Sequence, residues 1–237
     1  MTYGFIGLGN MATAILRGMK KSGSFDGDIL AGYDISAERC TLLSGEIGLK
    51  VCSSETEVAQ CSDVLVLAVK PQMMTGVLEK IKSSVNNKLI LTIAAGKPIS
   101  FYENILGQVR LVRIMPNINA KVNAAVSAVC GSENAIEEDI STAKAIFSTV
   151  GTVCEISEAQ FPAFSALGGA SGAFVLMLID AIASAGVKAG LSRKLSEDIA
   201  KQVVIGSGKL AAESSEHPCA LVDQICSPGG TTIEGVH

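Results

Sequence analysis

The sequence predicts an α/β protein in which a doubly wound parallel sheet is followed by an all-α domain. Over the first 156 residues, short apolar segments alternate with segments of helical periodicity, which is typical of parallel sheets covered by crossover helices. After Ile156 the strand pattern ends and long helical segments replace it. A chain of 237 residues is long enough for two modest domains. We therefore expect one domain over residues 1–156 and a second over residues 157–237.

The strands of the first domain are predicted from apolar runs that end at glycine, proline or polar residues. They cover residues 3–6, 29–34, 50–52, 64–69, 89–93, 110–114, 124–130 and 151–155. The helices between them are predicted at residues 12–22, 37–45, 55–61, 73–84, 99–106 and 136–150. In residues 73–84, for example, Val77, Leu78 and Ile81 share one face, as expected of an amphipathic helix.

The second domain is predicted to be helical throughout. Its helices cover residues 158–167, 173–190, 194–214 and 217–225, and loops are expected at residues 168–172 and 227–232. The apolar run 173–190 is interrupted by Asp180, whereas a membrane span needs about 20 uninterrupted apolar residues. We therefore expect no membrane span here but a helix buried on most of its faces, with Gly190 as its C-cap.

Composition excludes several classes of function. A net charge of -4 and a pI near 5.3 provide no basic surface for nucleic acid. The seven cysteines include no C-x-x-C pair and only two histidines are present, so we expect no metal site. Neither His217 nor His237 follows the pattern of a serine hydrolase. The odd number of cysteines, and an N-terminus that enters a strand without a basic region, predict a cytoplasmic protein with reduced thiols.

A glycine-rich turn between the first strand and the first helix has the dinucleotide fingerprint Gly7-x-Gly9-x-x-Ala12. The first glycine makes the turn, the second lets the backbone approach a pyrophosphate, and the small third residue lets the helix pack closely on the strand. This context predicts a Rossmann-type domain that binds a dinucleotide. The expected contacts are Ile6, Gly7, Leu8, Gly9, Asn10, Met11 and Ala12.

Asp34 ends the second strand, where an acidic residue commonly binds the ribose 2′-hydroxyl and repels a 2′-phosphate. This position favours NADH. Ser36 and Arg39 are close in sequence and could hold a phosphate instead, and a solvated acid at a strand end is a further alternative. The predicted cofactor is therefore NADPH or NADH, with Asp34 and Ser36 among its contacts.

The residues that follow three further strands are expected on one rim, because ligands of doubly wound sheets bind beyond the carboxyl ends of the strands. These contacts are Ala68, Val69, Lys70, Pro71, Ala95, Gly96 and Asn117. Lys70 is suited to phosphate or nicotinamide groups, and Asn117 provides an amide.

Near the C-terminus, Ser227-Pro228-Gly229-Gly230-Thr231-Thr232 joins two predicted helices. Backbone N–H groups and hydroxyls at a helix N-terminus can form a carboxylate site. An ordinary Pro-Gly turn, with Thr231 or Thr232 as the N-cap, explains the same residues equally well.

Taken in order, these motifs resemble the pyrroline-5-carboxylate reductase family. The resemblance covers essentially the whole chain and rests on residues 7–12, 68–71, 94–96, 113–117, 206–209, 216–218 and 227–233. The Ser-Pro-Gly-Gly-Thr-Thr sequence after Glu-His-Pro is highly specific, whereas the glycine fingerprint is not.

The resemblance implies reduction of 1-pyrroline-5-carboxylate to L-proline by NADH or NADPH, the last step of proline synthesis. It also implies a Rossmann domain followed by a helical dimerisation domain, homodimers that assemble further, and an additional helix beyond His237. The substrate carboxylate is expected at Gly229, Gly230, Thr231 and Thr232, with Ser171 nearby. The hydroxyl of Thr232 is expected to act catalytically at the ring nitrogen. Since a protonated imine accepts hydride readily, the reaction requires mainly proximity and orientation.

Two segments depart from the family pattern. Residues 168–173 read Gly-Gly-Ala-Ser-Gly-Ala where the family usually has Ser-Gly-Ser-Gly/Ser-Pro-Ala, so two hydroxyls and a proline are missing. Asp34 replaces the small polar residue that is often found at its position.

Small residues recur along the predicted helix 173–190, where Ala181, Ala185 and Ala189 are spaced by four. Such a row permits close helix packing, either between two chains or within one. Two other functions stay open. A β-hydroxyacid dehydrogenase-like enzyme would use Lys188 or Lys209 as its base, which leaves residues 227–232 unexplained. A non-catalytic nucleotide-binding regulatory module is the other alternative.

Overall fold

The computed structural model describes all 237 residues and contains two compact units, Met1–Gly172 and Ala173–His237. The first unit contains an eight-stranded sheet covered by helices on both faces. The second unit is entirely helical. The predicted fold class, a Rossmann-type doubly wound sheet followed by helices, is confirmed. The predicted boundary at residue 156 lies just after the last strand, and the first unit continues to Gly172.

The strands agree closely with the predicted ones. They are β1 Thr2–Ile6, β2 Ile29–Tyr33, β3 Lys50–Val51, β4 Val64–Leu67, β5 Leu89–Thr92, β6 Arg110–Pro116, β7 Ala125–Gly131 and β8 Gly151–Glu155. The helices of the first half are α1 Asn10–Ser22, α2 Ala37–Ile47, α3 Glu55–Cys61, α4 Met74–Ile81, α5 Ile99–Leu106 and α6 Glu137–Ser148. In the second half they are α7 Phe161–Phe164, α8 Ser171–Lys188, α9 Arg193–Glu213, α10 Pro218–Ile225 and α11 Thr231–Val236.

The order of the strands places a crevice beside β1. The sheet runs β3-β2-β1-β4-β5-β6-β7-β8, so the chain leaves β1 in one direction to form β2 and β3 and returns to form β4 on its other side. The connections on either side of β1 therefore diverge above its carboxyl end. In open α/β sheets this switch point is where ligands bind.

One pair of strands departs from the predicted parallel sheet, because β6 and β7 are antiparallel. Parallel neighbours need a crossover of about a dozen residues or more. The chain provides only a short connection with a single 3-10 turn at Ile118–Val122, so β7 reverses direction. β8 is parallel to β7 again, since the whole of α6 lies between them.

Adjacent residues of the central strands serve two separate cores. On β1, Phe5 packs on the side of α1 and α6, while Ile6 packs on the side of α3, α4 and α5. Val66 and Leu65 of β4 divide in the same way. Because both faces are buried, these strands are apolar throughout rather than alternating, which made them easy to predict.

The predicted loop at residues 168–172 is wrong. A wide π-helical turn, Ser165–Ala170, follows α7 directly and leads into α8. No proline interrupts this segment, and its small residues adopt helical geometry. The wide turn alters the usual pattern of helical hydrogen bonds without ending the helix.

The prediction that residues 173–190 form a helix buried on most of its faces is also wrong, because most of α8 is exposed. Phe174, Leu176 and Met177 are each more than 60% exposed, and Ala183 is the one fully buried residue of the helix. The helical stretch Glu158–Lys188 is long and apolar enough to cross a membrane by length and composition. The expected burial of α8 was wrong because composition shows that a helix face is apolar but not whether the same chain covers that face.

Helices α8 and α9 approach each other closely where the side chains are small. A Cβ on Gly186 would lie 2.6 Å from Oγ of Ser196, so a larger residue here would displace that side chain. Gly190 ends the region of α8 with φ of +101°, as its predicted C-cap role requires. The Ser192 hydroxyl then accepts the Leu195 N–H at 3.3 Å and caps α9.

A buried ion pair fixes α6 to the sheet. The carboxylate of Asp139, 1% exposed, accepts two hydrogen bonds from the Arg110 guanidinium on β6. It also accepts the Ile136 N–H at 3.0 Å and so closes the first turn of α6. An unpaired carboxylate at this site would be costly, because burial removes its water.

We therefore expect Arg110→Met to lower the free energy of unfolding by about 2 kcal/mol, less than for a fully buried pair because Arg110 is 38% exposed. Urea unfolding followed by circular dichroism measures this loss. The matched control is Lys144→Met, which removes the exposed ion pair to Glu155 and should cost less than about 1 kcal/mol. An equal decrease in the free energy of unfolding in the two variants would contradict the conclusion that the buried pair stabilises the fold more than the exposed one.

Candidate active site

The glycine turn after β1 has the geometry that its sequence predicts. Gly7 has φ of +91°, and a Cβ there would lie 2.9 Å from backbone atoms of Ala68 and Val69. Gly9 is the N-cap of α1, and a Cβ on it would meet only the Arg39 guanidinium at 3.8 Å. Gly7 is therefore needed to make the turn, whereas Gly9 leaves open space at a helix N-terminus, where a pyrophosphate can approach.

A cavity of about 510 Å³ lies at the switch point beside this turn. Eight of the sixteen residues predicted to contact the cofactor contribute to its wall. They are Ile6, Gly7, Gly9, Asp34, Ser36, Ala68, Val69 and Lys70. The residues present thus fit a dinucleotide, with a glycine turn at one part of the wall and a strand-end carboxylate at another.

Asp34 connects the second strand to the glycine turn. One of its carboxylate oxygens accepts the Leu8 N–H at 2.7 Å, and the other accepts the Ser36 N–H at 2.9 Å. The Arg39 guanidinium lies 4.0 Å from the same carboxylate. Asp34 is therefore held in a fixed orientation, and each oxygen keeps acceptor capacity for a further donor.

Six further residues line the cavity although the sequence did not predict them as contacts: Tyr33, Ile35, Glu55, Gln72, Met73 and Val77. Ile35 and Met73 are large apolar side chains that remain more than half exposed, which suits the flat face of a base. Their signal in the sequence was weak, because each is a single apolar residue directly after a strand or before a helix.

Glu55 brings a second carboxylate to the cavity wall. Partial burial acts to raise its pKa, but the hydrogen bond from Lys80 Nζ at 2.8 Å and one from the backbone outweigh that effect. The resulting pKa is lowered, so Glu55 is ionised at neutral pH.

The remaining predicted cofactor residues lie outside this wall. Leu8, Asn10, Met11 and Ala12 belong to the turn and the first helical turns behind it, and Pro71 begins a 3-10 turn. Ala95 and Gly96 line a neighbouring cavity within the first unit, together with Arg113, Met115 and Ser165.

The two charged groups of the neighbouring cavity, Arg113 and Glu158, are paired with each other. Arg113 pairs with Glu158 at 2.7 Å, and its guanidinium lies 4.2 Å above the ring of Phe161. The same Glu158 oxygen accepts the Ile99 N–H at the start of α5 at 2.7 Å. These contacts hold the beginning of the helical stretch Glu158–Lys188 against β6 and α5.

Asn117 has a structural position that the sequence did not suggest. Its amide donates to the carbonyl of Gly168 at 2.9 Å, within the π-helical turn, and its oxygen accepts the Val126 N–H at 3.3 Å. The side chain is largely buried. It therefore satisfies a carbonyl of the wide turn and links it to β7. Ser171, at the end of this turn, donates to the carbonyl of Ala166 at 3.3 Å.

The predicted loop at residues 227–232 leads into a helix as expected, but α11 already begins at Thr231, so residues 231–232 are helical. Gly229 has φ of +69°, and the Gly230 N–H donates to the Ser227 carbonyl at 3.0 Å. A Cβ on Gly230 would collide with Oγ of Ser227. Thr231 and Thr232 form the first turn of α11, whose N-cap makes no side-chain hydrogen bond. Their N–H groups have no partner within the helix and can receive an anion, whereas the Gly230 N–H is already used.

Comparison with known proteins assigns families to both halves. Residues 158–237 match the family described as pyrroline-5-carboxylate reductase dimerisation. Residues 2–96 match the family described as NADP oxidoreductase, coenzyme F420-dependent. The helical half is therefore a dimerisation domain by family, and the first half an oxidoreductase domain.

Individual relatives match along nearly the whole chain. The pyrroline-5-carboxylate reductase of Methanosarcina acetivorans is 39% identical over 99% of this chain and 87% of its own length. The solved structure of the Coxiella burnetii reductase covers 99% of this chain and 88% of its own, with a TM-score of 0.93 at 28% identity. The Plasmodium falciparum pyrroline carboxylate reductase, solved with NADP bound, covers 100% and 88%, with a TM-score of 0.84 at 30% identity.

The two glycines of the turn should respond differently to alanine. Gly7→Ala should lower the free energy of unfolding by about 2 to 4 kcal/mol, because it adds strain and a backbone clash. Gly9→Ala should change it by less than about 1 kcal/mol yet weaken NADPH binding at least tenfold, since its methyl group enters the space for the pyrophosphate. Urea unfolding and the fluorescence of the reduced nicotinamide measure the two effects. Wild-type affinity in Gly9→Ala would contradict the position assigned to the pyrophosphate.

Proposed function

Because the chain belongs to the pyrroline-5-carboxylate reductase family, we propose that it reduces 1-pyrroline-5-carboxylate to L-proline with NADH or NADPH, the last step of proline biosynthesis. The main support is similarity over 99% of the chain to a reductase of that name. The glycine turn with its crevice and the Ser227–Thr232 loop are the local features that suit this reaction.

We assign cofactor binding to the wall of the switch-point cavity. Gly7 and Gly9 shape the turn for the pyrophosphate, and Asp34 is the ribose acceptor. Lys70 follows β4 on the same wall, where its ammonium can meet a phosphate. The bound cofactor supplies the hydride.

We assign the substrate carboxylate to the first turn of α11. The N–H groups of Thr231 and Thr232 are free of partners within the helix and carry the positive end of its dipoles. Gly229 and Gly230 make the tight turn that exposes them. The Thr232 hydroxyl hydrogen-bonds the ring nitrogen, which keeps the proton of the imine while the adjacent ring carbon accepts the hydride. The chemistry needs orientation of an electrophile that is already activated, which matches a site without histidine.

We propose that the exposed face of the helical half packs against a second copy of the chain. Phe174, Leu176 and Met177 leave apolar surface on α8, and the match to a dimerisation family covers this helix. A homodimer would bury this surface, which explains the apolar stretch at residues 158–188 without a membrane. Assembly of such dimers into larger particles and a cytoplasmic location are further parts of the proposal.

The dehydrogenase alternative has less support. It requires Lys188 or Lys209 as a general base, and both side chains are exposed on their helices. The decisive assay follows oxidation of NADH and NADPH with pyrroline-5-carboxylate and, separately, reduction of the oxidised cofactors with 3-hydroxy acids. Turnover only with hydroxy acids would replace the proposed function, and cofactor binding without any turnover would favour the regulatory module.

The hydroxyl of Thr232 should matter more than its methyl group. We expect Thr232→Ala to lower kcat/KM for pyrroline-5-carboxylate by about tenfold to a hundredfold, because the ring nitrogen loses its partner. Thr232→Ser should keep most of the activity. Steady-state kinetics with a saturating cofactor give both values. Wild-type kinetics in Thr232→Ala would exclude the catalytic role.

A further inference from the structure

The carboxylate of Asp34 occupies the position in the crevice where the two nicotinamide cofactors differ. It follows β2, lines the cavity and is only 10% exposed. Two backbone N–H groups, from Leu8 and Ser36, orient it from behind. A carboxylate can accept about four hydrogen bonds, so two acceptor positions remain for the neighbouring hydroxyls of a ribose.

The same carboxylate opposes a 2′-phosphate by its charge, and it occupies two backbone donors close to the ribose position. Anion sites in such turns are built from free backbone N–H groups, but those of Leu8 and Ser36 already donate to Asp34. The N–H groups of Leu8 and Ser36 are therefore not available to a 2′-phosphate, and the Ser36 hydroxyl carries no charge that could neutralise one. Glu55 is a second carboxylate on the same cavity wall, but Lys80 pairs with it at 2.8 Å. The Asp34 carboxylate is therefore the group that opposes the charge of a 2′-phosphate.

Arg39 is the cation beside Asp34, but its position favours another part of the cofactor. Its guanidinium lies 3.8 Å from where a Cβ of Gly9 would be, beside the glycine turn and the helix N-terminus. It also lies 4.0 Å from Asp34, which partly balances its charge. A cation at the second glycine serves the pyrophosphate, which NADH and NADPH share.

We propose that Asp34 makes this chain prefer NADH over NADPH, and that Arg39 supports the shared pyrophosphate rather than a 2′-phosphate. The inference rests on the proposed function for its reaction, but it concerns binding alone. The preference then depends on repulsion between Asp34 and the 2′-phosphate of NADPH as much as on hydrogen bonding between Asp34 and the ribose of NADH.

The test is a fluorescence titration of NADH and of NADPH against wild type, Asp34→Asn and Arg39→Ala at one fixed ionic strength. We expect wild type to bind NADH at least about tenfold more tightly than NADPH, the size of one charged hydrogen bond gained or lost. Asp34→Asn keeps the size of the side chain but loses its charge and one of the two acceptor oxygens, and should bring the ratio of the two dissociation constants near one. Because the ratio is taken within one variant, a general loss of stability does not affect it.

Arg39→Ala is the matched control and should weaken both cofactors by a similar factor, leaving the ratio unchanged. Tighter binding of NADPH by wild type, an unchanged ratio in Asp34→Asn, or a loss confined to NADPH in Arg39→Ala would each overturn the proposal. Turnover of pyrroline-5-carboxylate is measured on the same samples. Absence of turnover with the expected binding ratio contradicts the proposed function alone, while turnover with tighter NADPH binding contradicts the preference alone.

Discussion

The contact on which the nucleotide crevice depends is the close approach of the Gly7 turn to the end of β4. The backbone of Ala68 and Val69 lies so near Gly7 that no side chain fits between them. Above this contact the connections from β1 and β4 must diverge, because the sheet continues to both sides of β1. The crevice is therefore a consequence of strand order together with one missing side chain. Asp34 then fixes the turn from the opposite side, through the N–H of Leu8.

The first half of the fold was predictable because its strands are buried on both faces. Such strands are short and uniformly apolar, and polar residues or glycines end them. The direction of β7 was not predictable from its own residues, since a strand has the same pattern in either direction. Its direction could have been predicted from the connection before it, because residues 117–124 are too few for the crossover helix that a parallel strand requires. Strand prediction is thus local, whereas strand direction depends on the connection.

The backbone features of the crevice could be predicted from the sequence, whereas side-chain contacts between distant elements could not. The glycines and Asp34 follow from the conformations that a phosphate and a ribose impose. Asn117 also follows a strand on the same rim, yet its amide contacts Gly168 in a helix far along the chain. Nothing in the local sequence shows that partner. Gly230 is a second example of a contact that the sequence does not show. It lies close to Ser227, and its N–H is bonded to the Ser227 carbonyl instead of being free for an anion.

The altered segment at residues 168–173 is best explained together with Asn117. Without a proline, the chain continues as helix through the segment, and it does so with a wide π-helical turn. The Asn117 amide hydrogen-bonds the carbonyl of Gly168 in that turn, and Glu158 holds the start of the same helical stretch to Arg113 and to α5. The long helix therefore begins at two fixed points on the sheet. In this chain the segment is held by the amide of Asn117 and by the ion pair at the start of the helical stretch, without a hydroxyl at positions 168 and 170.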